Sequence, residues 1–132
     1  MKRLLIGFIL AALSGTAIAQ EAPTQEVWLC KGVYQTTPGE PVKPQERTLV
    51  LILPTGKAVM KVEGNEHQGR FEASGQHVAA WFDVTPSGAE SLLDEATLVR
   101  VTGRLSVNTQ RRDGSRAGVY RGGCRPAELG GG

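Results

Sequence analysis

The two histidines of this chain, His67 and His77, are the residues best suited by type to bind a metal or to act as acid–base catalysts. They lie ten residues apart in the stretch HQGRFEASGQHVAAWF, with Glu66 and Glu72 close in sequence and Trp81 following them. A tight zinc site needs three or four converging ligands. Whether these side chains converge depends on the strands that carry them.

The alternation of apolar and polar residues over residues 67–84 predicts a β-hairpin with a tight turn at its centre. In the expected register Ser74 faces His77, and Arg70 lies opposite Trp81, where the two form an exposed cation–π pair. A slip of one residue would mix the two faces, so the apolar pattern fixes the register. The face expected to line the core carries Gly69, Phe71, Ala73, Val78, Ala80, Phe82 and Val84.

This register separates the two histidines. His77 lies at the turn and His67 at the open end, about 20 Å apart at roughly 3.3 Å per residue, so they share no metal within the hairpin. The sequence contains no G-x-S-x-G, no H-E-x-x-H, no phosphate-binding glycine loop and no EF-hand pattern. We therefore predict no catalytic residue, no metal site and no cofactor, and we expect that the protein is not an enzyme.

The start of the chain has the organisation of a secretory signal peptide. Two basic residues precede an apolar run over residues 4–13, and an Ala-Ile-Ala motif ends at Ala19. The run is too short for a transmembrane helix, which needs about 20 apolar residues. We expect residues 1–19 to be removed and residues 20–132 to form one periplasmic or secreted domain without a membrane anchor.

The only two cysteines, Cys30 and Cys124, are predicted to form a disulfide in an oxidising compartment. The alternatives are a zinc pair, for which companion ligands are lacking, and two free thiols. If the first and last strands are antiparallel neighbours with the cysteines opposite each other, Tyr34 faces Tyr120 and a glycine faces a glycine. That pairing would close the sheet into a barrel, whereas a bridge between two facing sheets would make a sandwich.

About seven strand patterns separated by turn signals predict an all-β domain, either a small antiparallel barrel or a sandwich. One of these strands is expected over residues 96–108, with Val99 and Val101 on its inner face. A short helix is expected near residues 88–96, with Ser87 as a possible N-cap.

Charge is distributed unevenly along the chain. Beyond the two basic residues of the leader, 13 basic and 13 acidic residues remain of the 15 and 13 in the whole chain. Residues 20–99 hold 6 basic and 11 acidic residues, and residues 100–132 hold 7 and 2. This pattern indicates a polarised surface and argues against nucleic acid as the main partner.

The segment TLVLILPTGKAVM, followed by GRFEASGQHVAAWF, resembles the small envelope β-barrels of the NlpE-like and META-like kind. In those proteins a strand, a glycine turn and a strand are followed by a Gly-x-Trp/Phe-x-x-x-Gly pattern and a further strand. The resemblance covers residues 48–84, about a third of the mature chain, and implies a small envelope barrel. The copper-associated C-x-x-C of the NlpE-like proteins is absent here.

The segment FEASGQH is similar to the S-A-S-G-x-x-Y segment of the periplasmic C-type lysozyme inhibitors, which are also small disulfide-bridged barrels. Ala73, Ser74 and Gly75 match, and His77 stands where the tyrosine would be. This resemblance implies that Ser74 and its turn would form the inhibitory loop.

The missing catalytic motifs and the polarised, exported scaffold favour a binding or inhibitor-type protein that acts through a protein partner, such as a cell-wall hydrolase, a toxin or an envelope complex. An anionic envelope component is a further candidate partner, for which the basic loop 109–116, with Arg104, Arg121 and Arg125, is the expected patch. The alternative function is a small-ligand or lipid carrier with a cavity inside the barrel. The candidate partner-binding residues are Arg70, Glu72, Ser74, Gly75, Trp81, Arg111, Arg112 and Arg116.

Overall fold

A computed structural model describes residues 24–36, 39–84 and 91–127 of the chain. Over these residues the chain forms one antiparallel barrel of eight strands, each paired with its neighbours in sequence and the last paired with the first. The all-β barrel predicted from strand spacing is therefore confirmed, and the sandwich is not formed. The strands are β1 Gln25–Gln35, β2 Lys43–Ile52, β3 Lys57–Val62, β4 Asn65–Ser74, β5 His77–Asp83, β6 Leu92–Val99, β7 Arg104–Arg111 and β8 Arg116–Pro126.

The barrel closes through the predicted pairing of β1 with β8. Cys30 lies opposite Cys124 and Tyr34 opposite Tyr120 in this ladder. The cysteines form the expected disulfide, with 4.0 Å between their Cα atoms. Closure pairs the first strand of the barrel with the last, so neither of them is an edge strand.

The strands are strongly tilted. Paired residues followed from Gln25 round all eight strands lead back to β1 at Gln35, ten residues further along. This stagger brings residues that are distant in sequence to the same level of the barrel wall. It decides which side chains share a surface.

The hairpin of β4 and β5 has the predicted register, with Ser74 opposite His77 and Arg70 opposite Trp81. On its inner face the β5 residues Val78, Ala80 and Phe82 are buried, whereas Phe71 of β4 is half-buried and Ala73 is exposed. The reason is that β3 begins opposite Arg70, so the last residues of β4 have a partner strand on one side only.

The predicted helix near residues 88–96 is wrong where the structure describes the chain, because Leu92–Val99 form strand β6. Its inward positions carry Asp94 between Leu92 and Ala96. This inward polar residue conceals the alternation that normally identifies a strand. Residues 85–90, and with them the proposed Ser87 cap, lie outside the described residues.

The single strand predicted over residues 96–108 is also wrong, because the chain turns back between Val99 and Arg104. Gly103 adopts a φ of 75° and donates its N–H to the Val99 carbonyl at 2.7 Å. Glycine is suited to this left-handed conformation because it has no Cβ. Val101, expected inside, lies in the turn with 74% of its surface exposed. This division raises the strand count from seven to eight.

Large side chains fill the inside of the barrel. Trp28 is buried on the same side of β1 as Cys30, as its position in the strand predicts. No helix within residues 24–36, 39–84 and 91–127 is long and apolar enough to cross a membrane. The largest fully buried side chains are those of Tyr120, Phe82, Leu49, Leu51, Met60, Leu98, Leu105, Val78, Val107 and Cys30.

Candidate functional site

The two histidines lie at opposite ends of the β4–β5 hairpin. His67 pairs with Met60 in the middle of the β3–β4 ladder, and His77 pairs with Ser74 beside the turn. Within the described part of the chain, no three His, Cys, Asp or Glu side chains are grouped so as to hold a metal ion. The fold therefore does not bring the two histidines together.

A row of outward side chains crosses four neighbouring strands. The register places Lys57 of β3, Arg70 of β4, Trp81 of β5 and Glu95 of β6 opposite one another in turn. The Arg70 guanidinium carbon lies 4.6 Å from the Trp81 ring centroid, which is the predicted cation–π pair. On the other side, the Trp81 Nε1–H donates to a Glu95 carboxylate oxygen at 3.3 Å. Both neighbours therefore hold the indole in place.

The half-buried Trp81 lies in a shallow groove of about 480 Å³ on the outer wall. The exposed side chain of Leu93 contributes to it, with 41% of its surface accessible. Beneath the groove the backbones of β4 and β5 lie close together. A Cβ at Gly69 would overlap the Trp81 carbonyl oxygen. We call this surface the Trp81 face and define it by Lys57, Gln68, Arg70, Trp81, Asp83 and Leu93.

A second groove of about 400 Å³ continues the Trp81 face towards the β7–β8 turn. The two grooves share Asp83 and Leu93, which lie opposite each other in the β5–β6 ladder. The strand tilt thus joins two patches that the sequence places about 30–40 residues apart. We call the second surface the arginine groove, lined by Asp83, Ser91, Leu92, Leu93, Gln110, Arg111, Arg112 and Gly114.

Internal hydrogen bonds shape the tip of the β7–β8 turn. Ser115 donates its N–H and its hydroxyl to Asp113 Oδ1, at 2.9 and 2.7 Å. These bonds lower the pKa of the Asp113 carboxyl from its usual value, because they favour the charged form. Arg111 donates to the Arg116 carbonyl at 2.9 Å, and Arg112 reaches the Ser91 hydroxyl at 3.4 Å. The turn is thereby tied to the start of β6.

Three of the predicted partner-binding residues lie away from this surface. Ser74 and Gly75 form the β4–β5 turn at the opposite end of the barrel from the β7–β8 turn, and the Gly75 carbonyl accepts a bond from Arg100 at 3.3 Å. Glu72 lies near that end, 3.9 Å from Arg70 in a loose exposed ion pair.

Arg116 also lies apart from the arginine groove. It lines a separate depression of about 140 Å³ with Val33, Val42 and Arg121. The basic patch predicted as one unit is therefore divided, since Arg104, Arg121 and Arg125 lie on the walls of β7 and β8 and not in the loop.

The sequence reasoning missed a polar cluster inside the barrel. Arg47 of β2 and Asp94 of β6 form an ion pair with 3.4 Å between Nη1 and Oδ2. Asp94 also accepts the Thr109 hydroxyl at 2.5 Å, and Arg47 donates to Gln45 Oε1 at 2.8 Å. Arg47 could have been predicted to point inward from strand parity, because Arg47, Leu49 and Leu51 share one face of β2.

Two tyrosines complete this interior cluster. The Arg47 guanidinium carbon lies 4.4 Å from the Tyr120 ring centroid and 5.5 Å from that of Tyr34. Burial lowers the pKa of Arg47, although Asp94 and the two phenol groups act in the opposite direction. Burial likewise raises the pKa of Tyr120. Both side chains of the ion pair are almost wholly buried, so the pair serves to hold the strands together.

In comparisons with known proteins, no family model, no curated protein and no solved structure matched this chain significantly.

Proposed function

We propose that this chain is an exported, non-catalytic binding protein that docks onto a protein partner through the Trp81 face and the arginine groove. The observation that carries the proposal is the continuity of these two grooves at Asp83 and Leu93. It places a tryptophan, three arginines and an exposed leucine along one side of the barrel.

The residue types on this surface suit protein recognition. Tryptophan and arginine are the commonest residues to contribute most of the binding energy at interfaces. Trp81 is held between Arg70 and Glu95 before any partner arrives, so little side-chain entropy is lost when a complex forms. Placement on β-strands of a closed, disulfide-bridged barrel makes the surface rigid as well.

The charges around the groove favour a partner with acidic groups at the edge of its contact surface. Lys57 and Arg70 lie at one end and Arg112 at the other, with Trp81, Leu93 and the carboxylate of Asp83 between them. Charges at the rim of an interface mainly guide association and orientation, whereas the buried centre contributes affinity.

The proposed partner is a protein of the cell envelope, either a cell-wall hydrolase that the barrel inhibits, a toxin, or an envelope complex. The export signal over residues 1–19 supports this location. The carrier alternative receives less support, because side chains such as Phe82, Leu49 and Met60 fill the space where a ligand would lie.

The proposal can be tested by cross-linking the purified protein to candidate partners in periplasmic extract and by assaying inhibition of cell-wall hydrolases. Trp81→Ala and Arg70→Gln should reduce partner capture or inhibition at least tenfold. The matched controls are Val33→Ala and Lys43→Gln, which remove an exposed apolar and an exposed basic side chain from outside both grooves.

Two results would contradict the proposal. One is that no specific partner is captured and no hydrolase is inhibited. The other is that a partner is captured equally well by Trp81→Ala and by the wild type, which would place the binding surface elsewhere on the barrel.

A further inference from the structure

A glycine on the outer wall of β8 is surrounded by four basic residues. Gly123 lies opposite Arg104 of β7 on one side and opposite Lys31 of β1 on the other. Arg121 and Arg125 lie two residues before and after it, so they project from the same face of β8. We call these four side chains the basic cross.

The strand geometry makes the basic cross compact. Neighbouring strands are about 4.8 Å apart, and alternate residues of one strand are about 7 Å apart. The four Cα atoms therefore fall within roughly 10 by 14 Å of the barrel wall. All four side chains are exposed, and a Cβ built at Gly123 would have no atom within 4 Å, so the centre of the cross is open.

Within the part of the chain that the structure describes, none of the four cations forms an ion pair. The pairs that do form lie elsewhere, for example Lys61–Glu66 and Arg100–Glu26. The nearest carboxylate in the ladder is that of Glu46, which faces Lys31 across β1 and β2 at one edge of the cross. Four like charges this close together repel one another, and a multivalent anion would relieve that repulsion.

A groove on the described surface adjoins the cross. It has a volume of about 540 Å³ and includes Lys31, Gly123 and Arg125 among its lining residues. Leu29 and the Cys30–Cys124 disulfide form its apolar part, and Glu46, Glu63 and Lys61 line the side of the groove away from the cross. An anionic ligand bound at the cross would therefore find space beside it for an uncharged portion.

We infer that the basic cross binds clustered phosphate groups, as found on a phosphorylated lipid headgroup or on a soluble polyphosphorylated compound. Three of the four cations are arginines, whose planar donors match the oxygens of phosphate in pairs. Four cations suit two or more phosphates better than a single carboxylate. The site is separate from the Trp81 face, since β8 lies three strands further round the barrel than β5.

The sharpest test uses Gly123, where a new side chain has room. Gly123→Asp places a negative charge at the centre of the cross, and Gly123→Asn adds a side chain of nearly the same shape without the charge. Binding of inorganic tripolyphosphate is measured by calorimetry at low ionic strength. Co-sedimentation with vesicles that contain an anionic phospholipid, compared with neutral vesicles, tests whether the phosphate groups can be those of lipid headgroups.

We expect Gly123→Asp to weaken binding at least tenfold and Gly123→Asn to change it less than twofold. Binding should also weaken as salt is raised, because the interaction is electrostatic. Binding of tripolyphosphate without vesicle binding would support a soluble ligand, and vesicle binding would support a lipid headgroup.

A second pair of variants keeps the test independent of changes at Gly123. The double variant Arg121→Gln/Arg125→Gln removes two cations from the cross, and Lys57→Gln/Arg70→Gln removes two from the Trp81 face. The first should lose binding and the second should keep it. If neither probe binds, or if the two double variants lose binding equally, the inference is overturned and the proposed function at the Trp81 face is unaffected.

Discussion

Arg47 of β2 and Asp94 of β6, which are 47 residues apart in sequence, form an ion pair inside the barrel. Their side chains are only 4% and 5% exposed. Both ions have further hydrogen-bond partners, which offset part of the cost of removing them from water. The pair therefore links β2 to β6 across the barrel interior.

Removal of one partner of this ion pair should be strongly destabilising. Asp94→Ala leaves the Arg47 guanidinium buried without its counter-charge, and we expect a loss of about 3–5 kcal/mol in the free energy of unfolding. The double variant Arg47→Met/Asp94→Leu replaces both ions with apolar groups and should recover most of that loss. Urea unfolding followed by tryptophan fluorescence measures both.

An exposed ion pair provides the control for this prediction. Lys61 and Glu66 are 3.7 Å apart on the surface, with about half of each side chain accessible. The double variant Lys61→Gln/Glu66→Gln should cost less than about 1 kcal/mol. A loss for Asp94→Ala no larger than this would show that the interior pair is not sealed from water.

Loss of the disulfide should destabilise the barrel where its first and last strands meet. Cys30 and Cys124 are separated by 94 positions, and cross-linking so long a loop restricts the unfolded chain by about 4 kcal/mol in the chain-entropy model. Cys30→Ala/Cys124→Ala should lower the unfolding free energy by that order. Reduction of the wild type with dithiothreitol should have a similar effect but leave the double variant unchanged, and any further loss in the variant would contradict this account.

Strand parity predicted the register of two of the eight strand pairs. The pairing of Arg70 with Trp81 followed from the apolar face of one hairpin, and that of Tyr34 with Tyr120 followed from the cysteines. Parity failed at β6, where the inward Asp94 interrupts the apolar face. Its charge is acceptable there only because Arg47 lies opposite it inside the barrel, and that contact is not visible in a local pattern.

The candidate site was predicted only in pieces. Trp81 and Arg112 were identified separately, but their connection depends on the strand tilt, which is a property of the whole barrel. The same tilt and pairing separate Arg121 from the basic loop and place it beside Gly123. Spacing along the chain could not distinguish these arrangements.

Gly103 should tolerate no side chain. It combines a φ of 75° with a close approach to β8, where Cys124 donates its N–H to the Gly103 carbonyl at 2.6 Å. A Cβ at this position would overlap the Cys124 carbonyl oxygen. We expect Gly103→Ala to cost more than about 3 kcal/mol, since steric overlap is added to backbone strain.

Gly64 is the matched control for Gly103→Ala. It has a φ of 84°, but a Cβ there would meet nothing within 4 Å. Gly64→Ala should therefore cost only about 1–2 kcal/mol, the penalty of the left-handed conformation alone. Thermal and urea unfolding of both variants separate the two contributions, and equal losses would show that the contact with β8 adds nothing.

Tyr120 should make the barrel less stable in alkali. Burial raises the pKa of its phenol above the ordinary value of 10.0, although the nearby Arg47 acts in the opposite direction. Because the folded state holds this proton more tightly than the unfolded state, the stabilisation is complete below about pH 10 and is lost as the pH rises through the native pKa. The unfolding free energy of the wild type should therefore fall more steeply between about pH 10 and 12 than that of Tyr120→Phe.

The Tyr120→Phe variant retains Tyr34 and every lysine, so their titration cancels in the comparison. Parallel pH profiles for the two proteins would mean that the Tyr120 phenol ionises as readily in the folded barrel as in the unfolded chain.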